Sequence, residues 1–312
     1  MTDEYRTLVE AYARSGGEVD ALTMPGVAHL LVHENRVLSS RPVPGLNIQV
    51  EETGTGVNVK LVVLKGYRIE HPVHLCFGVL PKEGIQQINS VITAEEGSCV
   101  ELLAHCTFPN AIKVRHLMNA EMEIKCGAAI TYNETHYHGQ HGGVEVVPKV
   151  RVRIENGGRL ITGFTLTEGR VGRLEMDYDV HVGAGATAEM TAKVYGRGED
   201  EILIRERTVL AGQGARSVIK SRVAVRDRAK STVESITEGA APYSRGHVDC
   251  VEIVQDDAVA VAIPRVSVMD RRAKVTHEAA IGSVDKKQLE TLMSRGLDDS
   301  EAVDIIVRGL LK

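Results

Sequence analysis

Three residues that could bind a metal ion lie near the end of the sequence, a cysteine and, further on, a neighbouring histidine and glutamate. Cys250 stands in the segment HVDCVEIV, and His277 and Glu278 follow 27 and 28 positions later in VTHEAA. A thiolate, an imidazole and a carboxylate are ligands for iron or zinc, and such a cysteine can also accept sulfur. Neighbouring strand residues face opposite ways, so one regular strand cannot aim both His277 and Glu278 at Cys250. The simpler interpretation is a core cysteine that shares one strand face with Val248 and Val254, together with a structural histidine.

Two further segments concentrate histidine and cysteine. They are THYHGQH, with His136, His138 and His141, and HPVHLC, with His71, His74 and Cys76. The His-x-His pair of the first segment is similar to the metal motif of cupins, which would make the chain a metal-dependent β-barrel enzyme. A cupin glutamate should follow sooner than Glu145 does, seven positions after His138. Surface histidines are the simpler interpretation of both segments, and a way-station for incoming iron remains an alternative.

The segment between the chain ends consists of short alternating strands separated by glycine turns. Turns that begin at Gly97, Gly127 and Gly157 lie 30 residues apart, and those at Gly185 and Gly214 follow at steps of 28 and 29. An interleaved series falls near the half-steps, so the chain turns about every 14 or 15 residues. This regular repetition predicts a β-helix, in which equivalent positions of successive coils stack about 4.8 Å apart. The separation between the cysteine and the His-Glu pair is close to one such coil.

Both ends of the chain have helical patterns. Near the start, apolar residues at helical spacing follow a cap at Thr2 or Asp3, and Gly16 ends the helix. Near the end, two capped helices form a hairpin. Its apolar residues, a candidate partner-binding surface, are Leu289, Leu292, Met293, Val303, Ile306, Val307 and Leu310. We expect an N-terminal helical segment at residues 1–20, a β-helix core at 21–279 and a C-terminal helical segment at 280–312. These helices would cover the open ends of the coil, or the hairpin would dock a partner.

Composition and charge limit the class of protein. The 312 residues include no Trp, 3 Phe and 8 Tyr, so the core should be built from aliphatic side chains. The 37 basic and 42 acidic residues give a net charge of −5, which argues against a general nucleic-acid or anionic-membrane surface. The acidic start and the lack of a long apolar run predict a cytoplasmic protein without a membrane span. Five cysteines without a Cys-x-x-Cys pair argue against a disulfide framework.

An ordered series of motifs fills roughly the last 65 residues. It comprises the cysteine strand HVDCVEIV, an alanine-containing strand that ends at Pro264, VTHEA, QLETLMSRGL and the helix EAVDIIVRGL. This series resembles the C-terminal signature of the SufB/SufD family of iron–sulfur cluster assembly proteins. It is more similar to SufB than to SufD, because SufB carries a cysteine at the Cys250 position and His-Glu at His277 and Glu278.

The resemblance implies a right-handed parallel β-helix with helical ends and a scaffold role in cluster assembly. In that role a transient, oxygen-labile iron–sulfur cluster is built from iron and sulfur and passed to acceptor apo-proteins. The resemblance gives Cys250 the part of sulfur acceptor and cluster ligand. Glu278 would be an iron ligand or assembly residue, and His277 the counterpart of a site histidine in SufD. The chain itself would not be an enzyme.

The resemblance also implies partners. A SufC-like ABC-type ATPase would dock on the C-terminal segment, at about residues 284–311, and would hydrolyse the ATP, since the chain has no Walker A sequence. Two copies would pair through their β-helices, so that a homodimer brings Cys250, His277 and Glu278 together from two chains. The chain is short and lacks the N-terminal cysteine motif of some SufB proteins, which indicates a minimal two-component system with an unspecified sulfur donor. A SufD-like structural partner without its own cluster is the remaining alternative, and Cys250 argues against it.

Overall fold

The computed structural model describes residues 3–311. Its helices are α1 (Asp3–Arg14), a short 3₁₀ turn (Val19–Leu22), α2 (Lys286–Met293) and α3 (Asp299–Leu310). The strands of the first half are β1 (His29–His33), β2 (Arg36–Arg41), β3 (Leu46–Glu52), β4 (Gly56–Val63), β5 (Val73–Gly78), β6 (Glu83–Ala94), β7 (Cys99–Phe108), β8 (Lys113–Ile124), β9 (Ala129–His138) and β10 (Val144–Ile154). Those of the second half are β11 (Arg159–Glu168), β12 (Arg173–Val182), β13 (Thr187–Gly196), β14 (Glu201–Leu210), β15 (Arg216–Val225), β16 (Lys230–Gly239), β17 (Arg245–Val254), β18 (Val259–Val268) and β19 (Lys274–Gly282). The predicted Thr2 cap and Lys312 lie outside the described residues.

The strands form a parallel β-solenoid of about eight turns, which confirms the predicted β-helix. Alternate strands belong to two facing sheets, so that each coil contributes one strand to each sheet. The first sheet has the order β19-β17-β15-β13-β11-β9-β7-β5-β1-β2, and the second has the order β18-β16-β14-β12-β10-β8-β6-β4-β3. In the first sheet, β7 through β19 pair in parallel with successive strands offset by 28 to 30 residues, which is the interval between the turns.

The turns that lead into the strands of the first sheet need a left-handed backbone conformation. Gly127 and Gly157 adopt φ values of 66° and 68° in these turns on successive coils, where a side chain would be strained. In the other turn of the later coils, which leads into the second sheet, Asp227 and Asp256 adopt this conformation with φ of 59° and 56°. Aspartate tolerates the left-handed region better than most residues, so these turns form without glycine.

The interior between the two sheets is mostly aliphatic, as the composition predicts. One continuous cluster of buried Val, Ile, Leu and Ala runs through nearly the whole solenoid, with Phe77, Phe108 and Phe164 inside it. Most strands of the middle coils alternate inward, buried residues with outward, more exposed ones, as Ala129–His138 does throughout its ten positions. Alternation of this kind fixes which side chains face inward, and it also carries several polar residues into the core.

The helices lie along the side of the solenoid, and the expectation that they cover its open ends is wrong. Leu8 and Tyr12 of α1 pack on Leu31 and Cys76, which face outward from the first sheet. Helix α3 packs in the same way on three successive strands of that sheet, and the residues of this contact are Tyr195, Ala224, Ile253, Val303 and Val307. An amphipathic helix needs an apolar surface, and these outward-facing side chains supply one on the flank.

The last coil is therefore open. Val266 and Val268 pair with inward-facing Thr237 and Gly239 of the coil below, yet they are exposed because no further coil follows them among the described residues. Ile281 continues the inward row of β17 and is 48% exposed. The strands β18 and β19 thus present both apolar side chains and unpaired backbone groups at one end of the molecule.

Candidate functional site

Strand β17 carries Cys250 into the solenoid close to its open end. Gly246, Val248, Cys250 and Glu252 are buried along this strand, and the residues between them are half exposed or exposed. Cys250 pairs with Ser221 on the coil below and with Ala279 on the last coil. Its side chain is 2% exposed. The predicted sulfur acceptor therefore lies inside the core, one coil below the exposed end.

The register separates His277 from Glu278. One coil is 29 residues long at this point, so His277 pairs with inward-facing Val248, and Glu278 pairs with half-exposed Asp249. Paired positions of parallel strands point to the same face. The structure therefore brings His277 to the face that Cys250 occupies, and it places Glu278 on the opposite, outer face of the same chain.

Glu252 is the carboxylate that lies near Cys250, and it is not among the predicted ligands. The Cys250 Sγ lies 4.0 Å from Oε1 of Glu252, whose Oε2 accepts a 2.7 Å hydrogen bond from the Ser231 hydroxyl. Glu252 is 1% exposed. Strand alternation could have identified it, because residues two apart in CVE share a face.

A second buried carboxylate lies deeper in the same region. Glu206 accepts a 3.0 Å hydrogen bond from Ser221, the residue paired with Cys250, and its other oxygen has no partner within residues 3–311. Burial raises the pKa of Glu206 to about 7 and also raises that of Glu252. The core near Cys250 is thus polar and can accept positive charge.

Burial also decides the state of the Cys250 thiol. Desolvation, followed by the nearby Glu252 and Glu206, raises the pKa of Cys250 to about 12, and only Arg222 acts in the other direction among the leading causes. The thiol is therefore protonated at neutral pH in the absence of a bound cation. Thiolate chemistry at this position requires a metal ion or another cation to displace the proton.

The predicted partner-binding residues divide between two environments. Val303 and Val307 are buried against the solenoid, where the Tyr195 hydroxyl donates a 2.6 Å hydrogen bond to Asp304 of α3. Met293 is exposed, and the half-buried members of the set are Leu289, Leu292, Ile306 and Leu310. A groove of about 860 Å³ runs between α2, α3 and Ile253, and Leu292, Ile306 and Leu310 are among its lining residues.

The two histidine segments are mostly buried, so the surface interpretation is wrong for His74, His136 and His138. The Tyr12 hydroxyl is hydrogen-bonded to Nδ1 of His74 at 2.7 Å, beneath α1. His71 and His141 are not buried. A polar sequence such as THYHGQH gives no indication of burial, because its hydrogen-bond partners come from other coils. The β-barrel enzyme alternative does not fit a two-sheet solenoid.

The other four cysteines lie in different environments. Cys76 and Cys106 are buried, whereas Cys99 is half buried and Cys126 is exposed beside a turn. All five cysteines are free thiols. Among the described residues, no helix combines the length and apolar character needed to span a membrane.

Comparisons with known proteins agree with the fold and the terminal motifs. The family model for the SufBD core domain of the SUF system for FeS cluster assembly matches residues 79–310. The iron-sulfur cluster assembly SufBD family protein of Methanocaldococcus jannaschii is 39% identical over 311 residues, which is 100% of this chain and 98% of that protein. A SufBD family protein of Pyrococcus horikoshii is 32% identical over 308 residues, covering 99% of this chain and 94% of its own length.

Similarity to a protein named SufB is lower. The iron-sulfur cluster assembly protein SufB of Bacillus subtilis is 23% identical over 260 residues, covering 81% of this chain and 54% of that protein. The matches to the family model and to the two archaeal relatives extend over most or all of the chain and include the cysteine strand and the terminal helices. The chain therefore belongs to the SufBD family of the SUF system and has a role in iron–sulfur cluster assembly.

Proposed function

We propose that this chain is a SufB-like scaffold on which a nascent iron–sulfur cluster is assembled at Cys250. The observation that carries the proposal is the position of this cysteine, which is buried one coil below an open apolar end and beside Glu252 and Glu206. A purely structural SufD-like partner would have no need for a thiol among buried carboxylates. The chain would provide ligands and hold the cargo without catalysing a reaction, and it would act in the cytoplasm, where thiols stay reduced.

The cargo chemistry follows from the protonation states of these groups. Incoming Fe²⁺ would displace the proton of Cys250, and the negative charges of Glu252 and Glu206 would attract the ion and offset its charge. Persulfide sulfur transferred to Cys250 would supply the sulfide after a separate two-electron donor breaks the S–S bond, which returns the cysteine thiolate and releases the outer sulfur as sulfide. One thiolate with carboxylate neighbours holds iron less firmly than four thiolates, which suits a site that must release its product.

We further propose that two copies pair through their last coils. The exposed apolar residues Val266, Val268 and Ile281 lie beside unpaired strand edges, and a second copy would cover both. Pairing of this kind would let His277 and the outward-facing Glu278 of one chain approach Cys250 of the other. Within one chain Glu278 lies on the opposite face from Cys250, so an assembly site that uses both residues would need two copies of the chain.

A SufC-like ABC-type ATPase would dock in the groove between α2 and α3. Its lining includes Leu292 and Ile306, and Ile305 at its rim is 48% exposed. Helix α3 also contacts Ile253, which lies three residues beyond Cys250 on β17. A movement of the hairpin on nucleotide binding would therefore reach the strand that carries the assembly cysteine.

Cluster transfer to an acceptor tests the scaffold proposal. The protein is reconstituted anaerobically with Fe²⁺ and a sulfide source, and the activation of an apo-ferredoxin is followed by its absorbance. We expect Cys250→Ala to abolish transfer, whereas Cys99→Ala, a half-buried cysteine on β7, should transfer normally. Unchanged transfer by Cys250→Ala, with fold and oligomeric state retained, would refute the assembly role of this residue.

A further inference from the structure

A second cluster of ligand-type side chains lies in the middle of the solenoid, four to five strands from β17 in the first sheet, or about 19 to 24 Å away. Cys106 on β7 and His136 on β9 are register partners on successive coils, and Glu134 faces the same interior two residues before His136. All three are at most 1% exposed. Cys106 Sγ and one ligand atom each from Glu134 and His136 lie within 4.8 Å of one another.

Hydrogen bonds fix the protonation pattern of this cluster. Nδ1 of His138 lies 2.9 Å from the Arg170 carbonyl, so this nitrogen carries the proton and the His138 Nε2 is an acceptor. Nδ1 of His136 lies 3.3 Å from that acceptor and therefore donates to it. The lone pair of the His136 Nε2 then faces Oε1 of Glu134 at 2.6 Å. Two acceptor atoms at this distance repel each other unless a proton or a cation lies between them.

His116 provides an independent indication of a ligand. It projects from β8 of the opposite sheet and is 0% exposed, and its ring centroid lies 5.8 Å from that of His136. Neither of its ring nitrogens has a hydrogen-bond partner among the described residues. A buried imidazole without any partner loses its hydration and gains nothing in return, which is costly. A bound metal ion would give one of the two His116 ring nitrogens a partner.

We propose that Cys106, Glu134 and His136 bind one divalent transition-metal ion of the Zn²⁺ or Fe²⁺ class, with His116 as the neighbouring donor that would complete the site. One sulfur, one imidazole and one carboxylate suit this class of ion, and a small movement of the His116 ring would close a tetrahedral set. This site is independent of cluster assembly at Cys250, because it is made of different residues in different coils.

The surroundings of the ligands have the form of an outer coordination shell. The hydrogen bond from His136 to His138 fixes the tautomer that leaves Nε2 free for the metal. The Tyr132 hydroxyl donates a 2.9 Å hydrogen bond to Oε2 of Glu134, so that the carboxylate keeps Oε1 for the ion. Contacts of this type orient ligands in known metal sites, and here they are already present around the cluster.

Metal binding balances charge in this buried interior. The ion replaces the thiol proton of Cys106 and the proton between Glu134 and His136, so the S–H and O–H bonds break as the metal–sulfur and metal–oxygen bonds form. About two protons are released to solvent for each ion bound. Two positive charges on the metal then meet one thiolate and one carboxylate, and the site remains neutral. Because the cluster is enclosed, the ion should enter during folding and exchange slowly.

Cobalt is a suitable probe for this site, because a cobalt–thiolate bond has a strong near-ultraviolet charge-transfer absorption. The full chain carrying Cys250→Ala, which removes the other candidate thiolate ligand, is produced with Co²⁺ as the supplied metal and dialysed against EDTA. We expect about one retained cobalt per chain and the thiolate absorption. Absence of EDTA-resistant cobalt from this protein would overturn the proposal.

Matched substitutions assign the ligands. Cys106→Ser should abolish the thiolate absorption and lower retained cobalt at least tenfold, whereas Cys76→Ser, at a buried cysteine beneath α1, should change neither. Tyr132→Phe, which removes one hydroxyl, should keep the absorption and lower retention about tenfold. If Cys106→Ser does not fold, anomalous diffraction from crystals of the unsubstituted chain decides the question. A cobalt peak between Cys106 and His136 supports the site, and its absence from that position refutes it.

Discussion

At the scale of single residues, the proposed assembly cysteine depends on charge that the sequence does not reveal. The pKa of Cys250 is raised to about 12 by burial and by Glu252 and Glu206, so a bound cation must generate its thiolate. Cys250 can be recognised from the sequence, because its strand lies about one coil before other ligand-type residues. Glu206 cannot, because that residue comes from the opposite sheet and only the folded coil brings it near.

Glu252 should contribute to iron binding beside Cys250. Glu252→Gln keeps the size of the side chain and its acceptor for Ser231 but removes the negative charge next to the thiol. We expect iron bound per chain after anaerobic reconstitution to fall about tenfold. Glu238→Gln, at a carboxylate paired with Arg207 on the outer face of β16, is the matched control and should bind iron normally. Equal iron contents in the two variants would contradict a role for Glu252.

His29 should make the protein less stable in acid. Nδ1 of His29 faces the Arg41 guanidinium and its Nε2 contacts the Ser39 hydroxyl, and burial with this neighbouring cation lowers its pKa to about 4. Because the pKa of His29 is lower in the folded state than in the unfolded state, its contribution to the free energy of unfolding is complete above about pH 6.5. This contribution is lost as the pH falls towards 4. The loss is roughly 3 kcal/mol for a shift of this size.

Urea unfolding of metal-free protein at about pH 7 and about pH 4.5 measures this effect. His29→Gln keeps a hydrogen-bonding side chain without a titrating group, so its free energy of unfolding should fall less between the two conditions. The same fall in both proteins would show that His29 does not titrate as its surroundings imply.

At the scale of elements, the last coil is the surface through which we propose that two copies associate. Its inward row ends in exposed Val266 and Ile281, which the proposed pairing would cover. Ile281→Lys should convert a dimer to a monomer in sedimentation equilibrium, because a buried, unpaired ammonium opposes association. Val91→Lys, at a valine on the outer face of β6 that is 44% exposed, should leave the dimer intact. A dimer that persists with Ile281→Lys would place the interface elsewhere.

The two C-terminal helices, α2 and α3, should bind the ATPase. Met293→Glu and Ile305→Glu alter exposed residues of the hairpin, and Val303 and Val307 continue to fix α3 on the solenoid. We expect affinity for the ATPase, measured by calorimetry, to fall at least tenfold while the melting temperature is unchanged. Normal binding by both variants would exclude this groove as the docking surface.

The sequence of a helix does not specify the surface on which the helix packs. The apolar stripe that includes Leu8 and Tyr12 predicts a helix with one buried face, and α1 confirms it. The stripe fits any apolar surface of suitable width, and the outward-facing Leu31 and Cys76 that receive it become visible only once the register of β1 and β5 is fixed. The expected end cap was wrong for this reason.

At the scale of the whole molecule, the coil length controls which residues can meet. Turns at regular intervals predicted the solenoid, because each coil repeats the same turn geometry and packs only on its neighbours. The coil at the open end is 29 residues long, and this length decides which face of the strand each ligand-type side chain occupies. A separation of 27 keeps His277 on the face of Cys250, and a separation of 28 turns Glu278 away. An error of one residue in the coil length reverses such an assignment, so sequence spacing alone could not place these side chains.

The solenoid separates two kinds of site along one core. Cys250 lies one coil below the open end, where the proposed partner copy and cargo would meet it, and the Cys106 cluster lies four to five strands away in a closed interior. The first position suits a cargo that must leave, and the second suits an ion that is retained.

The assembly of a cluster at Cys250 is measured by the iron and acid-labile sulfide in the anaerobically purified complex with the proposed ATPase partner. We expect an oxygen-labile cluster, with iron and sulfide in similar amounts, in the unsubstituted protein. Cys250→Ala should lose the sulfide and the cluster spectrum while the complex stays intact. A cluster of undiminished iron and sulfide content in Cys250→Ala would contradict the assignment of Cys250 as the assembly residue.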